Sequence, residues 1–176
     1  SSNPASDRTL TVPSNADGEI LTTTSPKTGN IIQIVHASYA TTTTNTTTSF
    51  ADSGLTATIT PSSSSNKIVV MVAQPFRIGR TTASDASGTI QLYRSVSGSE
   101  TAVTDNAGYL FYFDAGGLGT SNGLYFYDLY NVTVQDSPST TSAVTYLTKA
   151  RAYSSNTDIK TQYNGKSFIT LMEVAG

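Results

Sequence analysis

The chain has 176 residues and a mass of 18.5 kDa, which is enough for one domain with a buried core. Only 12% of its residues are charged and its formal net charge is -2, so neither nucleic acid nor an anionic membrane surface is an expected partner. The absence of cysteine excludes a disulfide scaffold, a thiolate metal site and a cysteine nucleophile, and no apolar run approaches the roughly 20 residues that span a bilayer.

Residues 1–29 are predicted to form an extended N-terminal arm. They contain two short β-like runs, Thr9-Leu10-Thr11-Val12 and Glu19-Ile20-Leu21-Thr22, with a turn-rich segment between them. Because so few apolar residues cannot form their own core, we expect the arm to lie on its own domain, a sister subunit or another protein. Fully extended, it would reach on the order of 90 Å. The initial Ser suits a complete product that has lost its initiator Met, and equally a trimmed chain.

Residues 30–176 are predicted to form an antiparallel β-sandwich of jelly-roll type. Apolar runs recur along this region with turn signals between them, and no amphipathic helical pattern is present. Thr, Val, Ile, Tyr and Phe are abundant and favour extended backbone. The predicted strands cover residues 31–39, 55–60, 67–78, 88–96, 100–103, 108–113, 124–134, 143–153 and 167–174.

Two of these strands carry more apolar surface than one small sandwich needs. The run Ile68-Val69-Val70-Met71-Val72 is apolar on both faces, which suits a strand covered within the sandwich or at a subunit boundary. The tyrosines at 124–134 supply amphipathic surface suited to interfaces or to sugar stacking. We predict that these aromatic residues form core and subunit interface, and leave the sugar platform as the alternative. The predicted interface residues are Ile68, Val70, Val72, Tyr125 and Tyr127.

The residues able to carry chemistry form no convincing constellation. His36 is the sole histidine and has no partner for a triad or a metal cluster. Two of Asp105, Asp114 and Asp128 could meet within the roughly 5–10 Å that a glycosidase needs, but capping turns is the commoner role of such residues. The glycine-rich loop at 116–123 joins two strands, whereas a phosphate loop needs a helix. We predict a protein that is not an enzyme, with no cofactor and no metal. A carbohydrate-active enzyme using Asp114 and Asp128 is the weakest hypothesis.

Three blocks of the sequence carry a family resemblance. They are the arm DRTLTVPSNADGEILTTTS, the segment NIIQIVHASYATTTTNTTTSFADSGLTATITPSSSSNKIVVMVAQPFRI and the ending SFITLMEVAG. These blocks resemble segments of tail fibres and other β-rich virion proteins of tailed bacteriophages, especially cyanophages. The ending is similar to an ITLMEIAG terminus of such domains. The region from about 80 to 165 departs from the pattern.

The resemblance implies a homotrimer that carries no catalytic residues. From it we expect a capsid decoration (cement) protein on the outer surface of the virion, bound to the major capsid protein, with the arm strapping neighbouring capsomers. The alternative is the trimeric receptor-binding head of a tail or head fibre. In that case the loops near 79–88, 114–123 and 154–166 would touch host surface glycan.

Overall fold

The computed structural model describes residues 26–80, 85–105, 111–113 and 124–176. Within these ranges the protein contains eleven strands and no helix. The strands are β1 (Ile31–Tyr39), β2 (Thr43–Asn45), β3 (Ala51–Ile59), β4 (Lys67–Arg80), β5 (Ala86–Val96), β6 (Ser99–Ala102), β7 (Phe111–Phe113), β8 (Tyr125–Asp136), β9 (Val144–Ala152), β10 (Thr157–Thr161) and β11 (Ser167–Val174).

The strands form two antiparallel sheets that pack against each other. Sheet I has the order β1-β11-β4-β10-β2, with β8 on the other side of β4, and sheet II has the order β3-β9-β5-β6, with β7 also paired to β5. Strand β3 packs on β1 and β11, while β9 and β5 pack on β10. The prediction of an all-β antiparallel sandwich is confirmed.

The long strand β4 organises sheet I because it has three partners. One edge pairs first with β11, from Lys67 to Ala73, and then with β10, from Phe76 to Arg80. The other edge pairs with β8 along almost its whole length. Pro75 lies at the junction, at a position that pairs with neither β10 nor β11. A proline is best tolerated where the ladder changes partner, because it has no N–H to donate.

The core lies between the sheets and follows from the alternation of side chains along each strand. Inward-facing residues are apolar and almost fully buried, as the period of two in a pleated strand requires. They include Leu55, Ala57 and Ile59 from β3, Ile68, Val70, Val72, Phe76 and Ile78 from β4, Ile90 and Leu92 from β5, Val144 and Tyr146 from β9, Ile159 from β10, and Ile169 and Leu171 from β11.

Buried polar groups tie the two sheets together at defined points. Asp136, at the end of β8 in sheet I, accepts hydrogen bonds from Arg94 (2.8 and 2.9 Å) and from the Tyr146 hydroxyl (2.7 Å), both in sheet II. Deeper in the core, Gln74 Nε2 donates to Ser53 Oγ (2.9 Å) across the same gap. Since a buried polar group without a partner is costly, these pairs fix the register of one sheet on the other.

The loop between β3 and β4 is anchored by a buried carboxylate on β11. Glu173 Oε1 accepts hydrogen bonds from the Ser62 amide (2.6 Å), the Ser62 hydroxyl (2.8 Å) and Asn66 Nδ2 (2.6 Å), and its other oxygen accepts from Gln33. Burial raises the pKa of Glu173, but the hydrogen bonds from Asn66, Gln33 and Ser62 lower it by more, so the net pKa lies below its usual value.

Most predicted strands are found in the structure. The strands that the sequence did not predict, β2 and β10, are short and mostly polar. Strand β1 has the predicted bounds, and the strands predicted at 55–60, 67–78, 88–96, 100–103, 124–134, 143–153 and 167–174 correspond to β3, β4, β5, β6, β8, β9 and β11. Strand β2 lies inside the Thr tract, and β10 lies in a stretch that we predicted to be loop. Of the strand predicted at 108–113, the described part is β7.

Candidate interaction surfaces

Part of the predicted site residues cannot be placed in the structure. The arm residues Thr9 to Val12 and Glu19 to Thr22, together with Asp114 and the glycine-rich loop, lie outside the described residues. The chain joins sheet I at Gly29, whose amide donates to the Ala175 carbonyl (2.9 Å).

The interface prediction is wrong for three residues of β4. Ile68, Val70 and Val72 point inward and fill the core of the sandwich, so their side chains have no surface to offer a partner. The outward-facing residues of the same run are Val69 and Met71, because neighbouring side chains on a strand point to opposite faces. The interface prediction for Tyr125 and Tyr127 stays a prediction, and both side chains are exposed.

The outer face of sheet I has an uncharged end formed by three adjacent rows of cross-strand partners. The rows run over β1, β11, β4 and β8, and contain no Asp, Glu, Lys or Arg. They are Ile34, Met172, Val69 and Gln135; His36, Thr170, Met71 and Thr133; and Ser38, Phe168, Ala73 and Asn131.

Several large apolar side chains of this uncharged end are open to solvent. Ile34 is 61% exposed, Met71 45% and Phe168 42%. The His36 ring stacks on Phe168 with 5.8 Å between centroids, and its Nδ1 lies 3.0 Å from Thr170 Oγ1. His36 is therefore part of an uncharged outer surface, half of whose twelve residues are apolar, rather than of the core. Exposed large apolar side chains grouped in this way are a feature of interaction surfaces.

The opposite end of the same outer face is rich in tyrosine. The ring centroids of Tyr125 and Tyr127 are 6.5 Å apart, and those of Tyr127 and Tyr163 are 5.6 Å apart. These rings stand beside an open recess of about 640 Å³, which we call the aromatic recess. It is lined by Pro75, Phe76, Tyr127, Asp128, Leu129, Tyr163 and Asn164.

A buried ion pair lies beneath the tyrosines. The Arg77 guanidinium pairs with the Asp158 carboxylate, and its central carbon lies 4.4 Å from the Tyr125 ring centroid and 5.1 Å from that of Tyr163. Both cation–π contacts are within the range in which the ring quadrupole attracts a cation. Gly79 leaves room for this pair, since a β-carbon there would force Asp158 and Tyr125 to shift.

Sequence reasoning missed Arg77, Asp158 and Tyr163. The signal available for Arg77 was a charged residue at an outward position of an otherwise apolar strand. Asp158 and Tyr163 gave no signal, because they belong to β10 and the loop after it, which the sequence places among turn-forming residues.

The outer face of sheet II is charged and polar. Lys149 lies 3.2 Å from Asp52 and 2.6 Å from Glu100, and Thr58 and Thr145 share a hydrogen bond of 2.8 Å. Burial lowers the pKa of Lys149, but the two carboxylates outweigh this effect and raise it above its usual value. The charges of Lys149, Asp52 and Glu100 on this face are paired, and both carboxylates are exposed to solvent.

Possible catalytic groups are sparse in the described ranges. Asp105 and Asp128 are exposed, and Asp128 Oδ1 accepts a hydrogen bond from the Leu129 amide (2.7 Å). Within the same ranges, no group of three or more His, Asp or Glu side chains could hold a metal ion. A search of the described residues also finds no helix long and apolar enough to cross a membrane.

Comparison with known proteins adds no relative to this picture. No protein-family model matches the chain, and no curated protein matches it significantly.

Proposed function

We propose that this chain is a capsid decoration protein of a tailed bacteriophage. It forms a homotrimer on the outer surface of the shell built by the major capsid protein, and the arm at residues 1–29 attaches it there. The observation that carries the proposal is the uncharged end of sheet I, where large apolar side chains are exposed across three rows that hold no formal charge. The three sequence blocks that resemble phage virion proteins support the proposal that the particle is a bacteriophage virion.

Contact between copies would cover this surface. Fully burying a side chain such as Ile34, Met71 or Phe168 stabilises by about 1.5–3 kcal/mol relative to leaving it in water. The cores of interfaces are depleted of charge and enriched in Met and aromatic residues, as this surface is. A closed threefold arrangement covers the same patch on every subunit without open-ended growth.

The arm suits attachment through its backbone. Within the described residues, the chain first bonds to sheet I at Gly29, and the strand pairs of sheet I lie at residue 31 and beyond. The β-like runs Thr9–Val12 and Glu19–Thr22 could each add to an exposed sheet edge of the shell by backbone hydrogen bonds, which tolerate many side chains. Three arms on one trimer multiply a weak contact through effective concentration.

Deleting residues 1–29 tests the role of the arm. The truncated chain should remain a folded trimer by circular dichroism and light scattering, but it should no longer bind capsids in a sedimentation assay. A second variant keeps the arm and replaces Leu10 and Ile20 with Pro, which has no N–H to donate to a sheet edge and should weaken binding without shortening the chain. Full occupancy of capsids by the truncated protein would show that the arm is not the attachment.

A further inference from the structure

The aromatic recess presents flat apolar surface in a fixed arrangement. Tyr127 and Tyr163 lie with their rings 5.6 Å apart and tilted by 43°, and Leu129 and Pro75 extend the apolar wall. Tyr127 is 53% exposed, so its ring is open to a ligand. Aromatic side chains give large contact area at low conformational cost, because only two side-chain dihedrals must be ordered.

An ion pair beneath the rings supports two of the tyrosines. Arg77 is 7% exposed and is held by Asp158, with the rings of Tyr125 and Tyr163 against its guanidinium. Its Nε is buried and has no hydrogen-bond partner in the described part of the chain. Arg77 does not line the recess itself, so its role is to support the rings above it.

The rim of the recess supplies polar groups of both kinds. Asn164 is exposed and offers an amide that both donates and accepts, whereas the Asp128 side chain lies on the opposite face of β8 from Tyr127 and Leu129. Among the described residues that line the recess, the charged one is Asp128. No cation lines the recess within these residues to hold an anionic ligand, and hydroxyl groups would find a donor and an acceptor at Asn164.

We propose that the aromatic recess binds a neutral oligosaccharide. The apolar C–H face of a sugar ring would pack on Tyr127 and Tyr163, and its hydroxyls would hydrogen-bond to Asn164. A pocket that combines aromatic walls with a few polar groups fits this ligand better than a purely apolar one. This activity goes beyond attachment to a capsid and does not depend on it.

The test uses the full-length protein and a printed array of neutral and anionic oligosaccharides. The neutral oligosaccharide that gives the strongest signal is then titrated in solution by saturation-transfer NMR. Tyr127→Ala and Tyr163→Ala should each weaken binding about tenfold through loss of stacking, while Tyr127→Phe should retain most of it. Tyr112→Ala removes an exposed tyrosine of sheet II and serves as the matched control.

Two outcomes would overturn the inference. One is that no neutral oligosaccharide on the array binds the wild-type protein. The other is that binding persists unchanged in both Tyr127→Ala and Tyr163→Ala. If Tyr127→Ala instead dissociates the oligomer and no sugar binds, the recess is a subunit contact and the inference is wrong. Capsid binding by Tyr127→Ala is measured in parallel and should match wild type. The test of sugar binding is therefore independent of the test of capsid attachment by the arm deletion.

Discussion

The outer faces of the two sheets differ in where they keep their charges. Sheet II pairs the Lys149 side chain, which is 16% exposed, with the exposed carboxylates of Asp52 and Glu100. Sheet I covers its Arg77–Asp158 pair with tyrosine rings and leaves Met71 and its neighbours exposed. Both sheets bury their inner faces in the same core. Core packing therefore does not explain why their outer faces differ.

This contrast indicates different surroundings for the two faces. Exposed ion pairs contribute little to stability and serve mainly to keep a surface compatible with water. An exposed apolar area with no charge contributes nothing until another surface covers it. Sheet II therefore has the character of a solvent-facing surface, and sheet I that of a binding surface.

Placing a charge on the uncharged end should have the largest effect. In Met71→Lys the ammonium would lie within the proposed subunit contact and lose its hydration there, at a cost of several kcal/mol. We expect the trimer to dissociate to folded monomers, measured by size-exclusion chromatography with light scattering. The fold itself should be retained, because Met71 points to solvent in the single chain.

The matched variant on the other face is Thr58→Lys. Thr58 also points outward from a strand, on sheet II, where its hydroxyl bonds to that of Thr145. This variant should stay trimeric. Equal behaviour of the two variants, whether both dissociate or both assemble, would break the contrast between the faces.

The ion pairs on the two faces should differ in their contribution to stability. Asp158→Ala leaves the buried Arg77 guanidinium without its carboxylate, which should lower the free energy of unfolding by about 3–5 kcal/mol. Glu100→Ala on sheet II removes one carboxylate of an exposed cluster and should cost about 0.2–1 kcal/mol. Urea unfolding at one protein concentration measures both.

A double variant separates the charge from the packing. Replacing Arg77 and Asp158 together with Leu removes the unpaired charge, and should recover much of the stability that Asp158→Ala loses. If Asp158→Ala and Glu100→Ala cost the same, the pair under the tyrosines is as accessible to water as the cluster on sheet II.

The sandwich was predictable from the sequence because its signal is local. Alternation in Leu55–Ile59 and the long apolar run from Ile68 mark strands by their own side chains. What alternation could not decide was which face of a doubly apolar strand lies inward. Val70 and Met71 are adjacent apolar residues. Val70 lies in the core because it faces sheet II, whereas Met71 points away from sheet II and is exposed.

The aromatic recess was not predictable because its parts are distant in sequence. Arg77 meets Asp158 only because β10 pairs with β4, and β10 is a five-residue strand, TDIKT, without an apolar pattern. Its position is set by β4 and by the loop that leads to β11. Tyr163 is carried into the recess by that loop, and no local pattern marks it.

The carboxylate of Glu173 extends the comparison between the two sheets, because it is another charged group of sheet I that is buried. In Glu173→Gln one of the two oxygens becomes an NH₂ group, which faces a donor at Gln33 or at Ser62 and Asn66. The lost and opposed hydrogen bonds should lower the free energy of unfolding by about 1–3 kcal/mol at neutral pH. Glu100→Gln, an exposed carboxylate on sheet II, is the control for loss of one negative charge.

The pH dependence of this difference tests the mechanism. The pKa of Glu173 is lower in the folded chain than its ordinary value of 4.5, so the unfolded chain binds more protons in acid. The stabilisation is therefore present above about pH 4.5 and is lost as pH falls through the folded pKa. Glutamine does not titrate, so the stability gap between wild type and Glu173→Gln should narrow between pH 6 and 3. A gap that stays constant over this range would mean that Glu173 acts through packing, and that sheet I does not depend on a buried negative charge.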